Sequence, residues 1–102
     1  MEIRYPAILT PEEGGYTLQF VDLEEAFTEG NTLDEVLFNA TEVLSLTLIG
    51  RLEEGVAIPE ASTHLQGVHM IAPDAKTQAA LLMRLVRKER RIADMAHAVG
   101  TS

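Results

Sequence analysis

The sequence predicts an α+β fold: a three- to four-stranded, mainly antiparallel sheet with one long helix packed on one face, followed by a short helical segment. Three observations carry that reading. Tyr16, Leu18 and Phe20 alternate with Thr17, Gln19 and Val21, the period of a half-buried strand. Pro11-Glu12-Glu13-Gly14-Gly15, just ahead of them, is dense in turn-forming residues and joins two strands as a hairpin. Thr32 stands three residues before Glu35 at the head of an apolar helical run, the spacing of a capping box.

In chain order, the first strand is expected over Glu2–Thr10, with Ile3, Tyr5, Ala7 and Leu9 on one face. Pro6 has no N–H, which predicts that this strand lies at a sheet edge or turns that side away from a neighbour. A brief third strand is expected over Phe27–Glu29, before a turn at Gly30-Asn31. The long helix, Leu33–Glu54, places Leu33, Val36, Leu37, Ala40, Val43, Leu44 and Leu48 on one stripe. Asp34, Glu35, Asn39 and Glu42 take the solvent side. Gly50 weakens its last turns and Gly55 stops it. Val56–Pro59 and Val68–Ala72 each offer a short apolar run, giving one or two further strands. From Asp74 a second helix carries Ala75, Ala79, Leu82, Leu85 and Val86 at helical spacing. Ile92–Val99 reads as a further short helix that Gly100 ends, the pattern of a helix-turn-helix. The expected division is an α+β unit over residues 1–72 and a partial helix-turn-helix-like segment over 73–102.

Composition narrows the function. With 46% hydrophobic residues, no Trp and 5% aromatics, the 102-residue chain can build one aliphatic core. The absence of Cys excludes disulfides, thiolate metal sites and a cysteine nucleophile. There is no basic-then-apolar leader and no apolar run near the roughly 18 residues of a membrane span, so a cytoplasmic protein that avoids membranes is expected. The net charge of −8 is unevenly divided. Residues 1–63 set Arg4 and Arg51 against thirteen acids, a net −11, whereas residues 64–102 set six bases against three acids, a net +3. The first part suits a basic protein partner and the second can approach phosphates.

Catalytic patterns are thin. Asp22, Glu24 and Glu25 are the only clustered carboxylates, and a magnesium site usually takes one or two carboxylates with water and substrate phosphate. A divalent-metal nuclease using Asp22 with Glu24 or Glu25 is therefore one alternative; a solvated or protein-binding acidic corner is the other. His64, His69 and His97 lack the i, i+4 spacing of a helical metal pair. No phosphate loop follows Gly14-Gly15, and Ser45 and Ser62 sit in no nucleophile elbow. A non-enzymatic protein without a cofactor is expected.

Arg4-Tyr5-Pro6-Ala7, Gly14-Gly15-Tyr16, Phe20-Val21-Asp22, Ala26 to Gly30 and Thr32 to Leu44 follow one another in an order that resembles HicB-like antitoxins. The resemblance implies a reduced ribonuclease H-like fold that binds and neutralises a small, basic, mRNA-cleaving toxin of the HicA type. The toxin contact it suggests is Tyr16, Asp22, Glu24, Glu25 and Glu29. It also implies a C-terminal DNA-binding module that represses the protein's own operon, here of the helix-turn-helix branch. DNA-backbone contacts then fall to Arg87, Lys88, Arg90, Arg91, Thr101 and Ser102. Sequence readout needs the second helix in the major groove, and that helix would begin at Ser102. Operator binding is therefore expected only with a complete module. A vestigial ribonuclease H-like nuclease and a ligand-sensing transcriptional regulator are the competing functions. A homodimer or larger homo-oligomer is the expected assembly.

Overall fold

The computed structural model describes residues 2–98 and orders them as β1 (Tyr5–Glu12), β2 (Gly15–Phe20), β3 (Phe27–Gly30), α1 (Leu33–Glu54), β4 (His69–Ile71) and α2 (Ala75–Ala98). The four strands form one antiparallel sheet in the order β3-β2-β1-β4. β1 and β2 pair from Ala7↔Phe20 to Glu12↔Gly15, so the hairpin loop shortens to Glu13 and Gly14, the latter at φ 81°.

Alternation sends Tyr5, Ala7, Leu18, Phe20 and Ile71 to one face, where they form the core with Val36, Ala40, Leu44 and Leu48 of α1. Each large aliphatic side chain buried there contributes roughly 1.5–3 kcal/mol. Thr32 Oγ1 accepts the Glu35 N–H at 3.1 Å, and Gly55 closes the helix in the left-handed region, its N–H turned to the Arg51 and Leu52 carbonyls. Both ends of α1 thus lie where the capping pattern put them. Gly30 sets how closely α1 approaches: a Cβ there would stand 2.6 Å from the Val36 nitrogen.

Four expectations change. β1 is not an edge strand but lies between β2 and β4. Pro6 is tolerated because its carbonyl accepts the Val21 N–H at 3.0 Å, one residue past the end of β2, so its missing donor costs only a terminal ladder bond. Leu33 is exposed at the mouth of α1 and leaves the apolar stripe. Val56–Pro59 forms no strand. Its extended chain runs beside Tyr5, whose Oη donates to the Pro59 carbonyl at 2.7 Å, and only β4 extends the sheet.

The fourth change concerns the C-terminal segment. α2 is one uninterrupted helix through Ala98, not two helices meeting near Ile92; the expected turn at Gly100 lies outside the described residues. Its root is tied to α1 by a relay in which the Asp74 N–H donates to Ser45 Oγ and Ser45 Oγ donates to the Thr41 carbonyl, both at 2.8 Å. Asp74 Oδ1 caps the first turn by accepting the Thr77 N–H at 2.8 Å. Gln78 takes both polar groups of Ile3, accepting its N–H at 2.6 Å and donating to its carbonyl at 3.0 Å. Beyond Leu82 every described side chain of α2 is exposed, and the molecule measures 64 × 27 × 21 Å.

Candidate functional site

The acidic corner joins β2 to β3. Leu23 and Ala26 are fully buried and pull the connection onto the core, while the Phe20 N–H reaches the Ala26 carbonyl and the Ala26 N–H the Leu23 carbonyl, each at 3.0 Å. Gln19 Nε2 faces the carbonyls of Phe20, Leu23, Glu24 and Ala26 at 3.0–3.4 Å. With two N–H donors the Gln19 amide can serve two of these carbonyls at a time, which ties the inner rim of the turn to β2.

Its carboxylates have different duties. Asp22 Oδ2 accepts the Ser62 N–H at 2.9 Å and its Oδ1 accepts the Ser62 hydroxyl, which pins the connection from α1 to β4 against the corner. Glu25 receives both Nε and Nη2 of Arg51 at 2.8 Å, a bidentate pair, and Arg51 Nη1 donates to the Ala57 carbonyl at 2.9 Å. The Arg51 hydrogen bonds hold the Glu25 carboxyl down at about 2. Burial, followed by the nearby Asp22 charge, raises the Tyr5 phenol and keeps it a neutral donor to Pro59.

The five residues suggested for toxin contact therefore do not form one open patch. Tyr16 is half-buried on the helix side of β2, packed against the core. Asp22 is half-buried against Ser62, and Glu25, though paired with Arg51, stays exposed. Glu24 and Glu29 are exposed, Glu24 at the corner and Glu29 on the open face of β3, opposite Thr17. Among the described residues no three His, Asp or Glu side chains come together as a metal-holding group, and Asp22 and Glu25 of the nuclease alternative are engaged by Ser62 and Arg51.

Two further surfaces escaped the sequence reading. On α1, Phe38 and Leu46 are 66% and 74% exposed, on the side opposite Val36, Ala40, Leu44 and Leu48. The signal was their placement out of phase with the buried stripe, masked by the overall apolarity of the helix. The other surface is an open groove of about 1120 Å³ between α2 and the start of the chain, with Ile3, Ile58, Leu81 and Leu85 among its lining. Arg87, Lys88, Arg90 and Arg91, the suggested phosphate contacts, are exposed along that groove; Thr101 and Ser102 lie outside the described residues. No described helix is long and apolar enough to cross a membrane.

Comparison with known proteins agrees with this architecture. Residues 4–79 match the family described as HicB_like antitoxin of bacterial toxin-antitoxin system, which spans the whole sheet, α1 and the root of α2. Antitoxin HicB of Escherichia coli (strain K12) is 32% identical over 101 residues, covering 96% of this chain and 73% of that protein. Antitoxin HicB 1 of Photorhabdus laumondii subsp. laumondii is 41% identical over 58 residues, 56% of this chain and 37% of its own length. Antitoxin HicB 2 of the same organism is 27% identical over 99 residues, 97% of this chain and 71% of that protein. On a family match that runs through most of its length, this chain belongs to the HicB-like antitoxins.

Proposed function

We propose that this protein binds and neutralises a small, basic, mRNA-cleaving toxin of the HicA type, acting by occlusion and without catalysis of its own. The observation that carries the reading is the charge division laid over the fold. The net −11 belongs to the residues that build β1 to β3, α1 and the acidic corner, whereas the net +3 belongs largely to α2. A protein that grips RNA must present cations, and a rigid acidic surface competes for them. Glu24 and Glu29 are the exposed, unclasped members of the suggested contact set; Glu25 is exposed but engaged by Arg51, and Asp22 acts indirectly by holding the corner in shape.

Repression of its own operon is tied in this reading to a complete C-terminal DNA-binding module. The α2 cations alone supply phosphate contacts, which position a protein on DNA without specifying sequence.

Co-expression with a small, basic toxin of the HicA type tests the proposal. The expected result is a complex that survives size-exclusion chromatography and relieves the toxin's growth arrest, with Glu24→Lys/Glu29→Lys weakening both. A toxin that neither co-elutes nor loses its toxicity would overturn the reading.

A further inference from the structure

α1 covers one face of the sheet, and the opposite face is open. An antiparallel sheet in that position ordinarily turns polar side chains to water. Here Ile8 of β1 is 50% exposed and Phe27 of β3 64%, and Met70 of β4, paired with Pro6, joins them on that side. The register sets Phe27, Gln19 and Ile8 in one row across three strands, and Glu29, Thr17 and Thr10 in the next. The Gln19 amide is taken up by the carbonyls of the acidic corner, so the first row is apolar at both ends.

The two rows form a shallow groove of about 570 Å³. Among the described residues lining it, Glu29 is the one charged group, and the Thr17 hydroxyl donates to Glu12 Oε1 at 3.4 Å, which brings a second carboxylate to its edge. The surrounding charge has a single sign. From Tyr5 to Gly50, through β1, β2, β3 and most of α1, the chain holds nine acids and no Lys, Arg or His. Glu24, the unclasped acid of the corner, lies on the turn that leads into Phe27. The outer side of α1 also combines apolar groups with acids, but Phe38 and Leu46 stand on a convex helix. The sheet offers a concavity with the Thr10 and Thr17 hydroxyls in it.

We propose, resting on the neutralisation reading above, that the open face of the sheet is the seat of the basic toxin. An apolar side chain of the toxin fills the groove between Ile8 and Phe27, and the Lys or Arg side chains around it meet Glu12, Glu24 and Glu29. Those cations are thereby withdrawn from RNA. In an interface with an apolar centre and a charged rim, a few central anchors carry most of the binding energy, so Ile8 and Phe27 also set which toxin is accepted.

The test is titration calorimetry of a HicA-type toxin against the full chain, with every variant checked by circular dichroism. Ile8→Lys/Phe27→Lys should weaken binding at least about tenfold, and Phe27→Ala about fivefold, through loss of an anchor. Phe38→Lys/Leu46→Lys, the same change on the outer side of α1, should stay within about twofold of the wild type. Phe27→Ala removes an exposed side chain and spares the fold, so it decides alone should the double variant unfold. A wild type that binds, with open-face variants that bind as tightly, overturns the surface and leaves neutralisation standing. So does an α1 variant that loses as much affinity as the open-face pair. A wild type that takes up no toxin overturns the neutralisation reading and this surface with it.

Discussion

The two helices differ by two residues in length, yet they stand in opposite relations to the rest of the molecule. α1 spans 22 residues, is capped at both ends and fully buries Val36, Ala40, Leu44 and Leu48. α2 spans 24 and buries only Thr77 and Leu81 among its described side chains. The periodic stripe is nevertheless clearer in α2, where apolar and polar residues are more strongly segregated, than in α1, where apolar residues occupy both faces. Amphipathic pattern reports what a helix is able to cover; it does not report that the cover is present in the same chain. α1 satisfies its inner face at home, and α2 carries its apolar seam out into solvent.

The strongest way to break this contrast is to remove equal pieces from each helix. Leu44→Ala opens a cavity in the core and should cost about 3 kcal/mol, whereas Leu85→Ala should cost about 0.5 kcal/mol in dilute, monomeric protein. Urea unfolding midpoints compare the two, and equal losses would mean that α2 is as firmly packed as α1. Glycines sharpen the same point at a smaller scale. Gly30→Ala drives a methyl group into the Val36 backbone and should cost about 2 kcal/mol. Gly50→Ala, with open space around its Cβ and a helical backbone, should gain about 0.7 kcal/mol in thermal or urea unfolding.

The smallest expected effect lies in the clasp between Arg51 and Glu25. Glu25 is held near 2 in the folded protein, below its ordinary 4.5. The unfolded chain therefore binds the extra proton between those values, and the stabilisation is complete above pH 4.5 and lost as pH falls toward 2. The Glu25 side chain is about half exposed (48%), so solvent screening keeps the contribution below about 1 kcal/mol. Stability measured from pH 6 to pH 2 should decline in this window, and Arg51→Ala should remove that portion of the decline.

These effects trace which features were legible in the sequence. The bounds of α1 were written locally by Thr32, Glu35 and Gly55, and the hairpin by alternation around Gly14 and Gly15. The third strand and the apolar half of β2 were readable for the same reason: their signals lie within a few residues. Pro6 misled because proline was weighed without knowing that β2 ends beside it. Asp22 and Glu25 looked like free acids because their partners, Ser62 and Arg51, lie 40 and 26 positions away. The α2 groove was equally invisible, since its walls come from three segments far apart in the chain: its start, residues 57–61 and α2.

Gln78 bonds both polar groups of Ile3 with one side-chain amide and so stands in for a neighbouring strand at the start of the sheet. The Ile3 amide is thereby protected from isotope exchange by a helix 75 positions away instead of by a sheet partner. Its exchange rate then reports the opening of the first turn of α2, and the Ile3 and Thr77 amides should lose protection as one cooperative unit. Any ligand or partner that tightens the distal helix would be read at the other end of the chain, as slower deuterium uptake at Ile3.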